Sequence, residues 1–144
     1  MDRGAARSSV EPSAEVLAAL GRAAHEVHGR LADVLCTHGC RVDEWRALDR
    51  LAQPGPHSMT DIGEATLLPG PSVTRLIDGL VADALVYRRA DEDDRRRVLV
   101  QLTSRGRALQ RRMAALVERE RATILGELDA EEVVLLTALL DRLR

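Results

Sequence analysis

Residues 58–109 read SMTDIGEATLLPGPSVTRLIDGLVADALVYRRADEDDRRRVLVQLTSRGRAL, and the order of signals in this stretch decides the fold. Ser58 or Thr60 opens a short helix through Asp61, Ile62 and Glu64, and LLPGP at 67–71 must stop it, because proline has no N–H to donate within a helix. A second short helix is expected from that point, with Gly70 as N-cap, Pro71 in the first turn, and Val73, Leu76, Ile77, Leu80 and Ala84 on one apolar stripe. Two strand-favouring segments follow, LVYRR at 85–89 and VLVQL at 98–102, separated by the charged turn ADEDDRRR. Helix, tight turn, helix and β-hairpin is the winged form of the helix-turn-helix, whose second helix enters the major groove of DNA.

The outward face of that second helix follows from its apolar stripe. At 100° per residue Arg75 falls almost opposite the stripe, flanked by Pro71, Ser72, Asp78 and Gly79, with Thr74 at the edge. Arg75 is a candidate for bidentate hydrogen bonds to guanine, with Ser72 and Thr74 serving phosphates or bases. In the hairpin, four acids followed by three arginines crowd one turn. Asp94 is expected to accept hydrogen bonds from the turn and orient Arg96 toward a minor groove, with Arg95 beside it on the DNA-binding wing.

Outward from this core, residues 13–37 place Val16, Leu20, Ala24, Val27, Leu31 and Val34 at helical spacing, with Ser13 as N-cap and Gly39 as terminator. Asp43 is expected to cap a short helix carrying Trp45, Leu48 and Leu51 on one face, broken by PGPH at 54–57. After the hairpin, Thr103 or Ser104 starts a long helix bearing Leu109, Met113, Leu116 and Ile124. Asp129 and Glu132 form a capping box for a last helix with Val133, Leu136, Leu140 and Leu143 at heptad-like spacing.

The 144 residues suit one mainly α domain, and 45% apolar with 31% charged residues is a globular balance. Residues 1–12 read as a disordered leader lacking the apolar run of a secretory signal, and no stretch suits a membrane span, so a cytoplasmic protein is expected. The net charge of −2 argues against indiscriminate coating of nucleic acid, yet the basic charge is local. Between Arg95 and Val117 lie seven arginines and no acid, whereas 118–144 holds seven acids against four arginines. Every basic residue is arginine, a planar multidentate group suited to phosphates and base edges. No nucleophile, base and orienting group are brought together by any motif and there is no glycine-rich phosphate loop, so neither an enzyme nor a cofactor is expected.

The 58–109 stretch closely resembles the core of the MarR (multiple antibiotic resistance regulator) family, most specifically in DRRRVLVQLTSRG, where Asp94, Arg96, Leu102, Thr103 and Gly106 match the family's wing signature. The flanking helices follow the family order, extending the resemblance over about residues 13–143. The resemblance implies a homodimer with dimerisation helices at 13–40 and 104–144 around a winged-helix lobe at 43–103. It further implies a transcriptional regulator, a repressor in the first instance, that binds a pseudo-palindromic operator in double-stranded DNA and is released by a small-molecule or oxidant signal. Pro69, Gly70 and Pro71 depart from the polar residues of many relatives and remove side chains that contact DNA or brace the wing. Together with the acidic net charge, this keeps open a winged-helix protein-interaction module without DNA binding.

By the same resemblance a small aromatic ligand would occupy a cleft between the dimer region and the lobe, where His28, Trp45 and Arg46 are placed to line it; Trp45 also reads as core. Cys36, His38 and Cys40, with His25 and His28, have the residue types of a zinc site or an oxidant sensor. Their spacing is poor for metal, so none is expected. Cys36 and Cys40 share a helix face only if the helix runs through Gly39, and Cys40 reads equally as a small buried hydrophobe.

Overall fold

The computed structural model describes residues 12–143, as six helices and a two-stranded antiparallel hairpin. The order is α1 (Pro12–Cys36), α2 (Val42–Ala52), α3 (Met59–Thr66), α4 (Gly70–Ala82), β1 (Val86–Ala90), β2 (Val98–Leu102), α5 (Ser104–Ile124) and α6 (Ala130–Asp141). The leader expected over 1–12 lies outside the described residues except for Pro12, which already belongs to α1. Ser13 therefore sits inside the first turn instead of capping it, as suits a proline whose fixed φ is preset for helix. No described helix is long and apolar enough to cross a membrane.

Helix ends explain much of the architecture. Gly39 takes φ 73°, its N–H reaches Cys36 O at 3.0 Å, and Cys40 N reaches back to Leu35 O at 3.1 Å. This is the Schellman closure, which brings the residue after the glycine against the helix's last apolar side chain. Leu35 and Cys40 are accordingly both buried, packed with Val42, Trp45 and Met113. Asp43 is not the cap of α2, which begins a residue earlier, at Val42 after Arg41. The Glu44 carboxylate accepts from Arg41 N at 2.8 Å instead, and Asp43 lies in the first turn, where the helix dipole favours an acid. Ser58 caps α3 and Thr103 caps α5, and Asp129 with Glu132 closes a reciprocal capping box on α6.

Leu67 ends α3 in the left-handed region at φ 59°, and Pro69, not Gly70, is the N-cap of α4, which places Gly70 and Pro71 in its first turn. Val73, Leu76, Ile77 and Leu80 are buried as the stripe requires, but α4 stops at Ala82 and Ala84 turns outward at φ 55°. The hairpin pairs Val86 with Leu102 and Ala90 with Val98. A bridge from Ser58 to Leu99, with Val100 N donating to His57 O, ties β2 to the start of α3.

Two apolar clusters result. The larger lies inside the lobe, where Leu48, Ile62, Ile77, Leu80, Val86 and Val100 are almost fully enclosed. The smaller, around Met113, joins α1, α2 and α5, and Leu109 packs against both. That shared leucine makes α5 the rod on which the lobe is mounted. From α1 only its last turns join a cluster, through Leu31, Ala32 and Leu35, and α6 buries no residue at all.

Candidate nucleic-acid interface

The second helix of the motif, α4, offers the face anticipated from its stripe. Arg75 and Thr74 are exposed and Ser72 is half-buried. The Thr74 hydroxyl donates back to Gly70 O at 3.2 Å, which leaves its oxygen free only to accept. Arg75 opens onto a cleft of about 390 Å³ that it shares with Ser72, Leu68 and, from the start of α2, Arg41 and Asp43. Asp78, on the same outward face, is engaged by Arg88 of β1 at 2.7 Å and is thereby neutralised from the hairpin.

The wing is closed by its own backbone and acids. Asp91 N donates to Arg97 O at 2.9 Å and Arg97 N to Asp94 O at 2.8 Å, while Asp94 Oδ1 accepts from Arg96 N at 3.0 Å. Asp94 thus does what its position anticipates, but through the Arg96 backbone; the bond shapes the turn and leaves the guanidinium free. Arg95 and Arg96 are exposed at the tip and form no ion pair among the described residues, whereas Glu92 pairs with Arg89 at 3.5 Å and Asp91 with Arg97 at 3.8 Å. The turn's crowded charges therefore sort into a braced base and a free cationic tip.

Arg97 was not singled out by the sequence, nor was its partner across the fold. Its guanidinium lies 3.8 Å from Asp61, which also faces Arg50 of α2 at 3.9 Å. The Asp61 carboxylate accepts from Ser58 Oγ at 2.6 Å and from Ser58 N at 2.7 Å. These bonds, first the side chain's and then the backbone's, hold its pKa below the ordinary carboxylate value, with Arg50 and Arg97 adding to the effect. The only local signal was the capping pattern of Ser58 and Asp61; the wing contact requires β2 to lie beside α3. With Pro69 unable to brace the wing, Asp61 is the acid that meets it.

The other signature residues are architectural. Thr103 Oγ1 donates to Ala84 O at 2.8 Å and accepts from Gly106 N at 3.0 Å, closing the left-handed turn before β1. A Cβ on Gly106 would stand 2.0 Å from Leu85 O, so only glycine lets α5 approach this strand.

His28 is exposed on α1, Arg46 is half-buried, and Trp45 is 8% exposed within the Met113 cluster. The cavities at the α1–α2 turn, under the wing and in the helix-turn-helix groove are lined by other residues. Cys36 is exposed on the last turn of α1 while Cys40 is buried, its thiol pushed up to about 11 chiefly by desolvation and next by Glu44. Because α1 stops before Gly39, the two do not share a helix face. Among the described residues no group of three or more His, Cys, Asp or Glu side chains is placed to hold a metal.

Comparison with known proteins agrees with this geometry. The MarR family sequence profile matches residues 38–97, which span α2, the helix-turn-helix and the wing tip. The HTH-type transcriptional regulator MhqR of Bacillus subtilis (strain 168) is 28% identical over 132 residues, 92% of this chain and 91% of that protein. The homoprotocatechuate degradative operon repressor of Escherichia coli is 28% identical over 104 residues, 72% of this chain and 70% of that protein. Among solved structures, Bordetella bronchiseptica BpsR, whose DNA binding is regulated by 6-hydroxynicotinic acid, superposes with a TM-score of 0.78 at 29% identity. That match covers 90% of this chain and 98% of BpsR. With the helix-turn-helix, the wing and the flanking helices all in the corresponding order, the chain is similar to the winged helix-turn-helix transcriptional regulators of the MarR family.

Proposed function

We propose that this protein binds operator DNA as a homodimer and represses transcription by occupying a promoter. The observation that carries the reading is the combination of an exposed Arg75 on α4 with Arg95 and Arg96 at the wing tip, which have no ion-pair partner among the described residues, while Asp78, Asp91 and Glu92 are each paired with an arginine of the fold. Arg75 would read a base edge in the major groove, with Ser72 donating or accepting and Thr74 accepting at its flank, and Arg96 would enter the adjacent minor groove with Arg95 at the phosphates. Asp94 serves by shaping the turn.

Dimerisation through 13–40 and 104–144 is supported by apolar surface that one protomer leaves open. Val16 and Leu17 on α1 and Val134, Leu135, Leu139 and Leu143 around α6 are all exposed. Exposed apolar side chains of that kind suit an interface, and two-fold symmetry would place two lobes on the half-sites of a pseudo-palindrome. A repressor role follows the naming of the Escherichia coli relative, and a site of action on the genome makes the protein cytoplasmic. Release by a small aromatic acid is the reading suggested by BpsR and its 6-hydroxynicotinic acid. In the dimer, a pocket for such a ligand would use His28, Arg46 and the exposed edge of Trp45. An oxidant signal would act on Cys36 before Cys40, since only Cys36 is exposed.

The test is selection of bound genomic fragments, followed by titration of the recovered DNA at several salt concentrations with wild type, Arg75→Ala and Arg96→Ala. A recovered pseudo-palindrome, a steep salt slope and weaker binding by both variants are expected. Equal, weak binding of all three proteins to any duplex would overturn the reading and favour a protein-interaction module.

A further inference from the structure

A second cationic site lies away from the wing and α4's outward face. A cavity of about 500 Å³ opens between the α1–α2 turn, the end of α4 and the first half of α5, lined by Gly39, Asp83, Leu85, Arg105, Leu109 and Arg112. Arg105 and Arg112 are seven residues apart, so they leave the same side of α5 about 10 Å from each other. Among the described residues neither forms an ion pair, and Ala108 and Leu109, on the helix between them, line the cavity together with Leu85. The wall thus reads cation, apolar, cation, and Asp83 supplies the one acid at its rim.

We propose that this cavity binds an organic dianion in which an apolar spacer separates two carboxylates, one held by each guanidinium. A planar guanidinium takes a carboxylate bidentately, and the alanine and leucine between the two arginines suit methylenes better than a hydrated polar chain. A compact inorganic anion reaches one arginine at a time and gains nothing from the wall. Because the cavity is bounded by the turn after α1, the end of α4 and α5, its occupant would bind lobe and rod together. The site stands independently of the DNA-binding reading, since none of its lining residues belongs to that surface.

The experiment is calorimetric titration of the full chain with suberate, and with octanoate and inorganic phosphate as comparisons, in wild type, Arg105→Ala, Arg112→Ala and Asp83→Asn. Suberate is expected to bind wild type at least about tenfold more tightly than octanoate, as the loss of one charge-assisted contact predicts. Each arginine variant should bring suberate down to the octanoate level, and Asp83→Asn should tighten it by about twofold to threefold as a rim charge is removed. Circular dichroism of each variant separates loss of the site from loss of the fold, and Arg105→Lys and Arg112→Lys supply a milder pair should an alanine variant unfold. Suberate and octanoate binding alike, phosphate matching suberate, no heat from suberate, or unaltered affinity in the arginine variants would each overturn the proposal.

Discussion

Gly106 carries one of the strictest constraints in the molecule, because the position a Cβ would take is already filled by Leu85 O at 2.0 Å. Gly106→Ala must push α5 off the start of β1, and a loss of about 3 kcal/mol or more is expected by urea denaturation; a wild-type midpoint would show that the two elements separate freely. Leu67 has the opposite character. It is 78% exposed and sits at φ 59°, so it bears the left-handed strain without a compensating contact. Leu67→Gly should raise stability by about 1 kcal/mol, read from the same denaturation curve, and a lower midpoint would count against the strain. The cysteines divide by burial. At neutral pH a maleimide should label Cys36 rapidly, while Cys40, buried and with its thiol raised to about 11, should react only after unfolding. Equal labelling rates in the native protein would contradict the placement of Cys40 beside Leu35. Gly39, which closes the turn between them, was legible from its position after a periodic run; that Cys40 is thereby forced inside was not.

At the scale of elements, the wing and α4 contribute unequally to the proposed DNA-reading surface. The first turn of α4 is Gly70, Pro71 and a half-buried Ser72, and Thr74 spends its proton on Gly70 O, so Arg75 stands nearly alone there. Among the described residues the wing has two guanidiniums without an ion-pair partner, on a turn closed by four hydrogen bonds. Arg96→Ala is therefore expected to weaken operator binding at least as much as Arg75→Ala, by about 1–3 kcal/mol, in parallel anisotropy titrations; a clearly milder loss at Arg96 would reverse that order. The wing is joined to the lobe through Asp61, whose lowered pKa gives the contact a pH signature. An acid depressed in the folded state adds stability that is complete above its unfolded pKa, about 4, and fades as pH falls through the lower folded value. Asp61→Asn should flatten the acid side of the melting-temperature profile and leave its slope near neutrality unchanged, and an unaltered acid limb would remove Asp61 from this role. The capping half of that arrangement could be read from Ser58 and Asp61 in the sequence. Arg97 could not, because 36 residues separate it from Asp61 and only the bridge from Ser58 to Leu99 brings them together.

For the whole molecule, the distribution of apolar surface is the main unresolved demand of the single protomer. The lobe encloses its own core, yet α6 buries nothing and the first half of α1 is exposed. If the protein forms the proposed dimer, replacing Leu135 and Leu139 by Glu should shift it to monomer in sedimentation and lower operator affinity in step, while the lobe keeps its near-native hairpin and α4. A double variant that stays dimeric would move the interface elsewhere. The sequence by itself determined the element order, the buried stripe of α4, the hairpin and most helix boundaries to within a residue or two, because proline, glycine, capping side chains and apolar period act over a few residues. It also singled out Arg75, Arg96 and the turn-shaping role of Asp94, since each depends on a local phase or a tight turn. Only the tertiary structure decided that Arg88 neutralises Asp78, that Arg97 meets Asp61, that Trp45 belongs to the core around Met113, and that Arg105 and Arg112 face a cavity. Those outcomes depend on how distant segments pack, and no local preference of the chain encodes which charge will stand opposite which.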